Sequence, residues 1–130
     1  MALTVSKYNL STWQGSTWGI RIIMKNQDGT IQDLTGYSVR MQIRASYRSS
    51  TAEESLTSDN NSTDISIDAS TGTITFQLSA ARTAAMSVDL SSGSKPPKTV
   101  YVYDIELQDS AGVVSKILYG DFTVYGEVTR

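Results

Sequence analysis

The sequence predicts an all-β fold: an antiparallel sandwich of about seven to eight strands with one short helix near residues 79–88. Three observations carry this prediction. Residues 99–108 alternate strictly, with Tyr101, Tyr103, Ile105 and Leu107 on one face and Val102, Asp104, Glu106 and Gln108 on the other. That period of two belongs to a strand with one buried side. Shorter alternating runs recur along the chain, divided by turn chemistry such as Asp28-Gly29, Thr35-Gly36 and Thr71-Gly72. Helix formers follow a good N-cap at Ser79, and they extend for only one or two turns.

Taken in order, residues 3–10 read as a first strand at a sheet edge, and 11–16 as turn-like. Residues 17–25 form the next strand, with Trp18, Ile20, Ile22 and Met24 toward the core. After the Asp28-Gly29 turn, 30–34 is a short extended segment anchored by Leu34. Residues 37–45 are a strand with Val39, Met41 and Ile43 inward and Arg40, Gln42 and Arg44 outward. Residues 46–63 are long, polar and nearly free of apolar side chains, the profile of a functional or mobile loop that orders on binding a neighbour. Ile65 and Ile67 mark a short strand, and Ile74, Phe76 and Leu78 share a face of the next.

The helix at 80–86 plugs one end of the sandwich, and Pro96-Pro97 blocks regular structure ahead of the closing hairpin. That hairpin runs over residues 99–125, turns at Asp109-Ser110-Ala111-Gly112, and carries Leu118, Phe122 and Val124 on one face. Gly120 interrupts the row and marks a bulge or a close backbone approach; Ile117 and Tyr119 fall on the opposite face unless a bulge there resets the register. Strands of this number and spacing point to an immunoglobulin-like sandwich over a single domain, 1–130, with a small Greek-key barrel as the rival. Tyr101 or Tyr103 is placed to make a tyrosine corner.

Composition narrows the chemistry. Cysteine and histidine are absent, which removes disulfides, thiolate nucleophiles and Ser-His or Cys-His catalytic arrangements. The net charge of −2 comes without a basic surplus, so no nucleic acid is expected as a partner. No apolar run is long enough for a membrane span, and the first residues do not read as a signal peptide, so synthesis in a host cytoplasm is expected. Serine and threonine make up about a quarter of the chain, as suits solvated strand faces and turns.

Several short motifs fall in a recognisable order: Trp13-Gln14-Gly15-Ser16, then Asp33-Leu34-Thr35-Gly36-Tyr37, then Ile74-Thr75-Phe76-Gln77-Leu78-Ser79. Thr83, Tyr103-Asp104-Ile105-Glu106, Leu118-Tyr119-Gly120-Asp121-Phe122 and a closing Val128-Thr129-Arg130 complete the series. Together they resemble the small immunoglobulin-like domain of phage tail proteins, notably the N-terminal domain of baseplate upper proteins, over nearly the whole chain. The resemblance implies a non-enzymatic structural component of a virion, in the tail or baseplate. It also implies several copies per particle and docking to neighbouring virion proteins. A head-associated decoration protein and a carbohydrate- or receptor-binding module are the alternatives.

The residues themselves offer interface candidates rather than catalytic, cofactor or metal sites. Trp13, beside the Gly15 turn, either folds over the core edge or anchors a partner. Tyr47 and Arg48 open the long loop and belong to types enriched at interfaces. Arg40 and Arg44, with Arg21 and Lys25, are expected to line one outer face if their strands are neighbours, with Val102 beside them. Arg130 joins this group at the chain's last position. The oxygen-rich run 59–64 has calcium-loop spacing, but Asp64 stands where such a loop needs glycine, and a solvated polar loop is the plainer reading. Asp104 and Glu106 share a strand face, an arrangement that more often pairs with cross-strand cations than performs acid–base work.

Overall fold

The computed structural model describes residues 5–91 and 93–129. The strands are β1 (Ser6–Lys7), β2 (Leu10–Trp13), β3 (Trp18–Ile23), β4 (Ser38–Arg44), β5 (Glu54–Thr57), β6 (Ile65–Asp68), β7 (Thr73–Leu78), β8 (Lys98–Gln108) and β9 (Val114–Tyr125). The one helix, α1, spans Ala80–Ala84.

Two sheets face each other. The larger has the order β1–β9–β8–β4–β5, with β2 also on β9, and the smaller has the order β3–β7–β6. A β9–β8–β4 run extended by β5 and packed on β3–β7–β6 is the strand distribution of an immunoglobulin-like sandwich. The alternation read from the sequence sets the inner faces. Val39, Met41 and Ile43 of β4, Ile74, Phe76 and Leu78 of β7, and Tyr101, Tyr103, Ile105 and Leu107 of β8 are all buried. Trp18 of β3 meets Phe122 of β9 edge-on, with ring centroids 5.2 Å apart, across the space between the sheets.

Four expectations are corrected. The N-terminal strand extends through Trp13 and runs parallel to β9, so residues 11–13 are strand and only Gln14–Ser16 turn. It is broken at Tyr8–Asn9. The part of the first expected strand at residues 1–4 lies outside the described residues.

The long polar stretch contains β5, paired antiparallel to β4, because Leu56 has a core position to fill and is almost fully buried. The bulge in β9 lies at Ile117 rather than Gly120: Ile105 opposes Leu118 and Glu106 opposes Lys116, leaving Ile117 unpaired. The extra residue turns Ile117 into the core, with 5% of its surface exposed, where plain alternation put it outside. Arg21 belongs to β3, and Lys25 follows it, whereas Arg40 and Arg44 belong to β4, so the four cations do not share a face.

The end of the sandwich near α1 is closed by side chains. The Ser79 hydroxyl accepts from Arg82 N as the N-cap. The buried Thr83 donates to the Ser16 carbonyl at 2.7 Å, and Gln14 Nε2 donates to the Met86 carbonyl at 2.7 Å. Arg82 reaches Glu54 and Asp64, with Nη2–Oε2 at 2.7 Å and Nη1–Oδ1 at 2.5 Å. Tyr101 hydrogen-bonds the Ser87 carbonyl in the connection ahead of β8, the tyrosine-corner role. Turn aspartates are fixed locally. Asp28 and Asp33 each accept from the hydroxyl and backbone N–H of the threonine two residues on, and the hydroxyl bond chiefly holds each carboxyl below its ordinary range.

Candidate functional site

The outer face of the larger sheet gathers most of the predicted interface residues. Register defines its rows. Near α1, Lys98, Tyr125 and Trp13 stand side by side on β8, β9 and β2. Trp13 stacks on Tyr125 with centroids 5.1 Å apart and still exposes 47% of its surface. It therefore does not fold over the core edge; it stands on the sheet as a supported aromatic. Val100, also exposed, continues the strip along β8 to Val102, which lies between Arg44 and Asp121.

Tyr47, 74% exposed, stands at this end of the face, with Gln42, Arg44, Val102, Tyr103 and Asp104, around a cleft of about 210 Å³. Arg44 is held there by bonds from Nη1 to the Ser49 carbonyl (3.0 Å) and from Nη2 to Gln42 Oε1 (2.9 Å). Among the described residues it has no carboxylate partner. Its charge is thus available to an incoming group, and its position is fixed in advance.

The far half of the face is a set of charge pairs. Arg40 meets Glu106 at 2.8 Å, and Lys116 meets Asp104 at 3.1 Å. The bond to Asp104 raises the Lys116 pKa above its ordinary value. The two acids singled out in the sequence are therefore each matched to a cation on a neighbouring strand. That is the ordinary fate of charges on a sheet, and it makes them rim residues here rather than an acid–base pair. Asp64, counted among the oxygens of the 59–64 run, is bonded to Arg82 in the same way.

Arg48 is exposed in the Tyr47 loop and makes no polar contact among the described residues. Arg130 lies outside the described residues. Sequence reading missed Tyr125 and Val100 as members of the strip. The signal was present, since both occupy the outward parity of their strands, but only the β8–β9 and β2–β9 registers place Tyr125 opposite Trp13 and Val100 in the next outward row, opposite Thr123. No protein-family model matches the chain, and no curated protein matches it.

Proposed function

We propose that this protein is a non-enzymatic structural component of a bacteriophage virion, a tail or baseplate subunit that docks neighbouring virion proteins through the outer face of its larger sheet. The observation that carries the docking role is the set Trp13, Tyr125 and Val100, exposed or stacked anchors on paired strands, with Tyr47 exposed in the loop after β4 and charged pairs at the margin. Interfaces are built this way: a few desolvated aromatic anchors within a polar rim. The virion assignment rests on the ordered motifs of the sequence, and with it go multiple copies per particle and virion partners.

Proteomic analysis of purified particles tests the reading. The chain is expected in the particle in a fixed ratio to tail proteins, and a Trp13→Ala, Tyr47→Ala double variant, folded as the parent, is expected not to incorporate. Particles that assemble and infect without the chain would overturn it. A second reading has one observation in its favour. The cleft combines an aromatic wall, an apolar floor and the polar side chains of Gln42, Arg44 and Asp104, which suits a saccharide. A glycan screen separates the two: saturable sugar binding by a monomer that Tyr47→Ala abolishes would favour the second.

A further inference from the structure

The smaller sheet is open along β3. The four-stranded sheet of a constant-type immunoglobulin sandwich places its first strand beside the second. Here the described N-terminal strands both pair with β9 in the other sheet, and among the described residues β3 has one neighbour, β7. The core records the consequence. On β4 and β7 every inward apolar side chain is buried, whereas on and just after β3 Ile20, Ile22 and Met24 are only partly buried. The inward row is thus left open beside an unpaired row of backbone donors and acceptors.

Two of the outward side chains of the same stretch carry positive charge, one on either side of the exposed Ile23. Arg21 and Lys25 are exposed, and among the described residues neither forms an ion pair. Between Thr17 and Arg21, Gly19 presents no side chain and leaves a shallow trench, about 380 Å³ in volume, against Thr75 and Gln77. We propose that the β3 edge is a strand-addition site for an extended segment of another protein, one with apolar residues at alternate positions and acidic residues between them. The apolar set would cover Ile20 and Ile22, and the acidic set would lie beside Arg21 and Lys25. Backbone pairing supplies affinity to any strand; the two alternating sets supply the selection. This surface is distinct from the outer face of the larger sheet, so either assignment can fail while the other stands.

Amide hydrogen exchange of the whole chain with a short blocked peptide alternating valine and glutamate provides the test. Slowed exchange in Trp18–Ile23 is expected, with no slowing at β5. Charge reversal, Arg21→Glu with Lys25→Glu, is expected to weaken that peptide roughly two- to fivefold per charge and to favour a valine–lysine peptide instead. Both positions are exposed, so the variant should melt like the parent. No slowing in Trp18–Ile23 would overturn the proposal, as would equal slowing at every sheet edge or indifference to the reversal. Slow exchange of these amides in the protein alone, or protection that grows with protein concentration, would show the edge covered by this chain or a second copy and would overturn it too.

Discussion

Tyr103 shows how much one hydroxyl can do in this fold. Its ring belongs to the core row of β8, and its Oη donates to the Tyr8 carbonyl at 2.5 Å, tying the break between β1 and β2 to the centre of the sheet. Burial, with a smaller contribution from Tyr8, pushes the Tyr103 hydroxyl from its ordinary 10.0 up to about 12. The folded protein therefore keeps this proton where the unfolded chain has lost it. The stabilisation is complete below about pH 10 and disappears as the pH rises through about 12. A shift of this size corresponds to about 2–3 kcal/mol. Tyr103→Phe is predicted to cost about 1 kcal/mol at neutral pH, from the lost hydrogen bond, and to flatten the alkaline fall in stability. Urea denaturation across pH 8 to 12 checks this, those limits being about two units either side of the ordinary tyrosine value. An unchanged alkaline slope in the variant would assign the titration to Tyr101, whose hydroxyl burial also raises.

At the scale of elements, periodicity was a good guide wherever a strand is buried on one side, and a poor one where another force decided. β8, β4 and β7 were legible because their apolar residues alternate without a break, whereas in β9 the bulge at Ile117 shifts the alternation. β5 was hidden because it is short and has one buried apolar anchor, Leu56, among polar residues; pairing with β4 makes it a strand, and pairing is not a local property. The parallel placement of β1 and β2 was likewise invisible in their own residues. Its signal sits in Gly120. A Cβ there would lie 2.5 Å from the Tyr8 carbonyl oxygen and 2.9 Å from Asn9 Oδ1, so the glycine is what lets the broken N-terminal strand lie against β9. Asn9 Oδ1 then accepts from Asp121 N, closing the gap between the two short pieces. Gly120→Val is predicted to destabilise the protein by about 2–4 kcal/mol. It should also release Ser6–Trp13 from protection against hydrogen exchange before the rest of the sheet opens. Retention of normal protection in β1 and β2 would show that β9 or the crossing segment can shift to make room.

At the scale of the whole molecule, the two sheets share one core, but their edges need separate closure, and among the side chains that close the end near α1, Arg82 bridges acids from both sheets. The Ser79 cap fixes a helix only five residues long, and that helix aims Arg82 at two acids from different sheets. Nε and Nη2 bond Glu54 at the start of β5, and Nη1 bonds Asp64 just before β6. None of this could be read in advance, because the partners lie 28 and 18 residues away and helical propensity says nothing about where a cap will be anchored. Hydrogen bonding to Glu54 is the main reason the guanidinium pKa is raised further, and both acids are more enclosed than surface charges, at 14% and 21% side-chain exposure. Removing the cation therefore leaves two carboxylates poorly hydrated and close together. Arg82→Met is predicted to cost about 1–3 kcal/mol, more than an exposed ion pair and less than a fully buried one. The distinguishing sign is where the loss appears. Exchange should rise in β5 and β6 while β8 and the centre of β9 keep their protection, because the shared core still holds the sheets together. Adding Glu54→Gln to Arg82→Met should recover part of the loss, since an amide tolerates the site without a cation. A uniform rise in exchange across both sheets would mean that Arg82 supports the fold only through its helix, and Ser79→Ala would then reproduce the effect.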